Sequence, residues 1–392
     1  MNKTQLQVYY MDLHIHLGRT LKNAPVKITA SNRMNVDSVI EEAIFHKGMD
    51  VIGLIDCLSP LVLNELEDYI QQGRAIELQE GGLLVDGKLT IILGAEIEVY
   101  DQNCKGPIHV LCYFPSLKSM RSFSNWCRMY IKNITLSTQR IYISAKILQQ
   151  RVKDGGGWFI PAHVFTPFKS VYGKGVDTYM EEVFEIKQID AVELGLSSDT
   201  HMARTLPELD PFPFLTNSDA HSVKMIAREH QVILCKEPSF IELGKVLQTK
   251  NERKILKNVG LSPKLVKYYQ TVCDFCIGSE NKCDDHERNS VVKGVSDRVQ
   301  ELSSKQNGKN MINIHRPTYL HQAPLEMIPS VGPKTIQDLI SRFGSEMKVL
   351  HEVPSSKLKE VVSNSAVEKI DLMRKGKLHI RPGGGGVKGK IL

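Results

Sequence analysis

Asp12-Leu13-His14-Ile15-His16 constrains this chain more than any other stretch. It follows Val8-Tyr9-Tyr10-Met11, a β-branched and aromatic run that reads as a buried strand, and it runs into Leu17-Gly18-Arg19-Thr20, which reads as a loop. Residues two apart on a strand share a face, so His14 and His16 are expected side by side at a strand end, where two imidazoles can share a divalent metal. A lone His-x-His is as readily one packed and one exposed histidine. The rest of the chain decides between the two.

Up to residue 240, short apolar runs alternate with amphipathic ones, the pattern of repeated βα units. Asn35 to Lys47 is predicted helical from the spacing of Val36, Val39, Ile40, Ala43 and Ile44, with Gly48 as its stop. The predicted strands then end on, or carry, a metal-binding residue type. Val51 to Ile55 ends on Asp56, and Thr90 to Ala95 ends on Glu96. Ile108 to Phe114 carries His109, and Trp158 to Ala162 ends on His163. Asp190 to Val192 runs into Glu193, and Phe214 to Ser218 ends on Asp219-Ala220-His221. Polar residues are common where strands meet loops, which explains any one of these but not the series. In a β/α barrel the strands point one way, and their C-terminal ends gather remote residues at one mouth. His14, His16, Asp56, Glu96, His109, His163, Asp219 and His221 exceed what one zinc ion takes and suit two or three ions with bridging carboxylates. Such ions lower the pKa of a water from about 15.7 to about 7 and stabilise charge on a phosphoryl group. No protein nucleophile is then needed, and no Gly-x-Ser-x-Gly elbow is present.

Asp12-Leu13-His14-Ile15-His16, Gly94-Ala95-Glu96, Pro161-Ala162-His163 and Ser218-Asp219-Ala220-His221 resemble the four motifs of the PHP (polymerase and histidinol phosphatase) superfamily. The resemblance implies an α/β fold, a PHP-type distorted (β/α)7 barrel over residues 1–240, with a two- or three-metal phosphoesterase site for zinc, magnesium or manganese. It implies His14, His16, Glu96, His109, His163, Asp219 and His221 as ligands, with Asp56 matching the Asp of the family's Thr-Asp-His. Asp219, His221, Glu96 and His163 are the residues expected to carry catalysis. Two departures stand out: Ile55-Asp56-Cys57 replaces that tripeptide, and no histidine follows His16 in the loop after the first strand. The aromatic run after His163, with Phe165, Phe168 and Tyr172, either stacks a nucleobase at the mouth or caps the core. Glu193 is a further candidate for that base pocket.

The remainder differs in charge. After residue 240, 26 Lys and Arg face 16 Asp and Glu, although the whole chain carries only +6. A polyanion partner is therefore expected there. Phe240 to Leu256 reads as a helix. Cys273, Cys276, Cys283 and His286 have the spacing of a small structural zinc site, within a module and linker spanning 241–310. Five other cysteines are scattered, which suits a reducing compartment. No apolar run approaches the roughly 20 residues of a membrane span, and the first residues lack a signal peptide's apolar region, so a cytoplasmic location with no membrane contact is expected.

Over 311–392, Ile328 to Ile336 resembles the hairpin of a helix-hairpin-helix motif, with Ser330, Gly332 and Lys334 placed to meet a DNA phosphate. The glycine-rich tail adds Lys388 and Lys390; it lacks the Ser or Thr of an ATP-binding loop. Barrel, zinc module, hairpin and basic tail, in that order, resemble the endonuclease Q family. This implies a DNA repair endonuclease that cuts 5′ to a deaminated base (uracil, hypoxanthine or xanthine) or an abasic site, leaving 3′-hydroxyl and 5′-phosphate ends. A small-molecule phosphatase of the histidinol phosphate type would leave the basic C-terminal part unexplained. A DNA-binding protein with a relict barrel would leave the ligand series unexplained. No peptide for a sliding clamp or another repair partner is visible.

Overall fold

The computed structural model describes residues 5–271, 292–306, 316–329, 331–384 and 387–391. The expected zinc ligands Cys273, Cys276, Cys283 and His286, and Ser330 of the hairpin, lie outside the described residues. In the first half the elements are β1 (Gln7–Ile15), α1 (Val36–Glu41), β2 (Val51–Leu54), α2 (Pro60–Gln71), β3 (Ala75–Glu77), β4 (Leu83–Val85), β5 (Leu89–Val99), β6 (Ile108–Phe114), α3 (Leu117–Cys127), β7 (Arg140–Ile141), α4 (Ala145–Asp154) and β8 (Trp158–Pro161). They continue as β9 (Val192–Glu193), α5 (Thr200–Ala203), β10 (Phe214–Leu215), β11 (His230–Cys235), α6 (Phe240–Leu247), β12 (Lys254–Gly260), α7 (Val295–Lys305), β13 (Thr318–His321), α8 (Pro333–Phe343), α9 (Glu346–His351), α10 (Ser355–Leu358), α11 (Asn364–Arg374), β14 (Ile380–Arg381) and β15 (Lys390–Ile391).

The chain folds as a mixed α/β structure around one large sheet. Every residue of β5 is buried, as expected of a central strand whose two faces are both covered. Strand pairing passes from β1 through β2 and β5 to β6 and β8. Backbone hydrogen bonds Asp190 N to Phe159 O and Val164 N to Glu193 O link β8 to β9. β9 pairs with β10, and a bridge between Ile15 and Ala220 returns to the end of β1. Not all strands point the same way: β6 runs antiparallel to both β5 and β8. Its reversal is what delivers His109, near its start, to the end of the sheet that β5 reaches with Glu98.

Asn35 accepts a hydrogen bond from Ser38 N and starts α1, whose last residues widen into a π-helical turn, Glu42–Lys47. Gly48, at φ 78°, stops it in the left-handed conformation that a glycine adopts without a Cβ penalty. A side chain at Gly48 would also collide with Ser345, so the same residue lets the C-terminal helices come close.

The helix expected from Phe240 to Leu256 ends at Leu247. Thr249, Asn251 and Glu252 turn through left-handed backbone, and Lys254–Gly260 becomes a strand on the free edge of β11. Ile255 fits helical and strand spacing equally; the open sheet edge decides it. β13 adds beyond β12 in parallel, so the sheet continues past residue 240. The C-terminal helices α8 to α11 bury Leu339, Met347, Leu350, Leu358, Val367, Ile370 and Met373 among themselves. Gly332 caps α8 and Pro333 takes its first position, where a missing N–H costs nothing. A buried ion pair, Lys47 Nζ to Glu346 Oε2 at 2.6 Å, joins this unit to the helix after β1. The tail hairpin β14–β15 is tied down by Gly383 N to Lys264 O and Gly389 N to Leu265 O. No described helix is long and apolar enough to cross a membrane.

Candidate metal centre at the mouth of the sheet

His14 and His16 leave the end of β1 toward the same face, with ring centroids 5.2 Å apart. Glu96 comes from β5, His109 from β6, His163 from the loop after β8, and Asp219 and His221 from the segment after β10. Three overlapping groups form: His14, His16 and Glu96; His16, Asp219 and His221; Glu96, His109 and His163. Within each, the candidate ligand atoms all lie within 4.8 Å of one another. Asp219 Oδ1 is 3.4 Å from both His14 Nε2 and His16 Nε2. Glu96 Oε1 is 2.8 Å from His109 Nδ1 and 3.3 Å from His163 Nε2, while its Oε2 is 3.4 Å from His16 Nε2.

Two of the candidate ligands are held in unusual backbone conformations, His163 at φ 32° and Asp219 at φ 46°. Such strain in non-glycine residues concentrates where a side chain must be aimed. Gly195, at φ 71°, makes room for one of them: a Cβ there would lie 2.5 Å from His163 Cβ.

Two of the expected residues sit behind the histidines. Asp56 lies outside the three groups: its Oδ1 meets His16 Nδ1 at 3.1 Å and Ser137 Oγ, and its Oδ2 accepts Leu17 N. Glu193, expected near a base, is buried behind His14, 3.0 Å from its Nδ1, and also accepts His163 N and Asn217 Nδ2. Each carboxylate fixes a histidine so that Nδ1 is engaged and Nε2 faces inward, the arrangement that orients metal-binding imidazoles. His14 Nε2, His16 Nε2, His109 Nε2 and Asp219 Oδ1 are buried without a hydrogen-bond partner among the described residues. Buried polar atoms are costly to leave unpaired, and three of these, His14 Nε2, His16 Nε2 and Asp219 Oδ1, are directed to one place, as fits a divalent metal; His109 turns its Nδ1 to Glu96 and its Nε2 toward Glu98.

Electrostatics agree. Burial alone would push the His14 imidazole down, but Glu193 and Asp219 outweigh it and hold it up at about 9. For His16, burial and Lys27 oppose protonation, yet Asp56 and Asp219 raise it to about 10. Burial would raise Glu96 and Asp219; the surrounding histidines, with Lys27 beside Glu96, instead keep both carboxyls well below the usual range. The site is thus a knot of charge that cations or protons must neutralise.

A cavity of about 420 Å³ opens beside the cluster, lined in part by Lys27, Glu96, His163, Phe168, Asp219 and His221. Lys27, Ser137 and Thr138 were not foreseen from sequence, where nothing marks their loops. Phe165 and Tyr172 stack on each other in the core, ring centroids 5.2 Å apart, and the Tyr172 hydroxyl donates to Glu208. Neither offers a face to a base; only Phe168, 45% exposed, lines the cavity. Gly332, Lys334, Lys388 and Lys390 are exposed on the C-terminal unit, apart from this cluster in sequence and element.

Known proteins bear on this geometry. No protein-family model matches the chain. It is 47% identical over 386 residues to the uncharacterized protein YqxK of Bacillus subtilis (strain 168), covering 97% of this chain and 98% of that one. The uncharacterized protein MJ0043 of Methanocaldococcus jannaschii is 38% identical over 253 residues, which span 58% of this chain and 31% of that protein. Among solved structures, the lesion-specific endonuclease PfuEndoQ of Pyrococcus furiosus superposes with a TM-score of 0.82 at 28% identity, covering 98% of this chain and 95% of that one. Endonuclease Q in complex with a 27-mer duplex substrate, with an abasic lesion at the active site, superposes equally well over 98% of this chain and 96% of that one.

Proposed function

Since the chain belongs to the family of YqxK and shares the fold of endonuclease Q, a DNA repair endonuclease, over nearly its whole length, we propose that it cuts DNA 5′ to a deaminated base or an abasic site. The ring of hydrogen bonds from β1 round to Ala220 is, on this reading, the PHP-type distorted barrel. Residues 241–310 hold the zinc module, and 311–392 form the helix-hairpin-helix-like unit that grips DNA in the cytoplasm. One observation carries the proposal: three unpartnered ligand atoms, His14 Nε2 and His16 Nε2 from the end of β1 and Asp219 Oδ1 from the segment after β10, converge beside an open cavity, in a chain with this fold.

The residues divide the work. His14, His16, Glu96, His109, His163, Asp219 and His221 would hold the metals, with Glu193 and Asp56 fixing the direction of His14 and His16. When bound, divalent ions supply charge neutralisation at phosphoryl oxygens and a water whose pKa falls toward 7. Water adds its oxygen to phosphorus and the P–O3′ bond breaks with its electron pair passing to O3′. One proton of the water ends on O3′, and the other on the new 5′-phosphate or in solvent. Phe168, which lines the cavity, would stack an extruded base, and extrusion costs least where pairing is already poor. Lys334, Lys388 and Lys390 meet backbone phosphates; Lys388→Ala with Lys390→Ala should weaken duplex binding and flatten its salt dependence, by about 0.9 in log–log slope for each phosphate no longer neutralised.

The test is metal-replete protein on duplexes carrying one uracil, hypoxanthine, xanthine, abasic site or none, with histidinol phosphate alongside. A nick 5′ to the lesion, with 3′-hydroxyl and 5′-phosphate ends, is expected. Equal cutting of undamaged duplex, or faster hydrolysis of histidinol phosphate, would overturn the reading.

A further inference from the structure

Lys27 lies in the long loop after β1, and its place there is fixed. Lys27 N donates to Leu17 O and Val26 N to Gly18 O, which folds the loop back on the strand end, while Ser137 N donates to Val26 O. The side chain is only 11% exposed and turns inward. Its Nζ is 3.0 Å from Glu96 Oε2 and also meets Thr138 Oγ1, which itself donates to the same Glu96 oxygen at 2.6 Å. An ammonium has three N–H groups. Two are directed at these acceptors, and the residue lines the cavity that His163, Asp219 and His221 also line.

A lysine is costly to bury, because its head must leave water; one ion pair with Glu96 does not require this loop to carry it into the mouth. Lys169 also lines the cavity, but it is half exposed and turned to Glu98 Oε2 at 3.1 Å. Of the carboxylates around the cluster, Glu98 is paired with Arg140 and Lys169; Asp56, Glu96, Glu193 and Asp219 remain, and two divalent ions would only balance these four. A phosphodiester and the oxygen that attacks it bring further negative charge. Among the described cations lining the cavity, Lys27 is the less exposed and is placed to meet it. The loop cannot add a metal ligand here, since an ammonium offers no lone pair, and the neighbouring Cys57 is directed into the core, its thiol donating to Leu54 O and pushed by burial up to about 12.

We infer that Lys27 is a catalytic residue: its ammonium, held by Glu96 and Thr138, donates its remaining N–H to a non-bridging oxygen of the scissile phosphate and stabilises the charge that develops there. It exchanges no proton, so the balance of the hydrolysis is unchanged. The inference rests on the phosphodiesterase reading above, though not on the choice of DNA lesion. Removing one such preorganised donor costs about 10²–10³ in kcat.

Wild type, Lys27→Met, Lys27→Arg and Lys27→Ala are assayed on an abasic duplex and on bis(p-nitrophenyl) phosphate, with bound metal counted in each protein. Lys27→Met should keep the wild-type metal count and duplex affinity within about threefold while kcat falls about 10²–10³-fold on both substrates. Lys27→Arg should recover part of the loss, and added ethylammonium should partly rescue Lys27→Ala. A wild type that hydrolyses the small diester but ignores lesion DNA, with Lys27→Met still slow, would sink the repair reading and keep Lys27. Unchanged kcat in Lys27→Met, or a loss of activity matched by a loss of metal, would overturn the assignment.

Discussion

Two sets of buried histidines in this molecule have opposite characters. At the mouth, His14 and His16 are each backed by a carboxylate, Glu193 and Asp56, and both imidazoles are held well above their ordinary value, at about 9 and about 10. Where the C-terminal helices meet the sheet, His230 and His351 pack edge to face at 5.5 Å, and His351 stacks on Tyr10. His230 Nδ1 bonds only a carbonyl, Ala227 O. Burial lowers His230 to about 4, outweighing the Ala227 carbonyl and Glu346 that favour its protonation; burial, with His230, Lys257 and Arg374, lowers His351 to about 3. Both sets leave an Nε2 unpartnered. Burial and an orphaned nitrogen are thus common to both sets; a carboxylate behind the ring and a second one in front distinguish the pair at the mouth.

The largest break in this contrast is at the shared carboxylate. Asp219→Asn removes the oxygen that faces both His14 and His16, and nicking should fall by more than the roughly 100-fold ceiling typical of an outer partner, with duplex affinity retained. A gel-shift assay beside a nicking assay separates the two. Next come the backing groups. Asp56→Asn and Glu193→Gln should each cost about 10–100-fold in metal affinity or activity; an effect as large as that of Asp219→Asn would make them ligands, contrary to the geometry.

The smallest effect is at the other histidine pair, and its sign is fixed. Folded-state values near 3 and 4 lie below the ordinary 6.5, so the folded protein binds fewer protons than the unfolded chain at mildly acid pH. Their contribution to stability is complete above pH 6.5 and is lost as pH falls toward 4. The unfolding midpoint should drop over that range, and His351→Phe, which keeps a ring against Tyr10 but cannot titrate, should reduce the drop by a few degrees at about 2–4 °C per kcal/mol. Nicking at pH 7.5 should stay within about twofold of wild type.

Much of the mouth was legible because strand ends mark where ligands go: His14, His16, Glu96, His109, His163, Asp219 and His221 were each named by an apolar run that stopped at or contained them. What sequence could not supply were relations across space. Asp56 and Glu193 stand at strand ends like the others, and only their distances to Nδ1 atoms make them supports. The reversal of β6 leaves no trace in Ile108 to Phe114, because alternation reads the same in either direction. Lys27 comes from a loop with no periodicity, and Phe165 and Tyr172 could have faced either the core or the mouth. Ile255 was misread because its spacing suits a helix, and the sheet edge that claims it is built by residues 230–235.

The most direct measurement is bound metal in the full chain, counted after loading and dialysis for wild type, Asp219→Asn and His351→Phe. Any ion on the cysteine module is common to all three and cancels in the differences. Asp219→Asn should hold at least one ion fewer than wild type, and His351→Phe the same number. Equal counts in wild type and Asp219→Asn, or an ion lost with His351, would contradict the claim that carboxylate-backed histidines at the mouth form the metal centre.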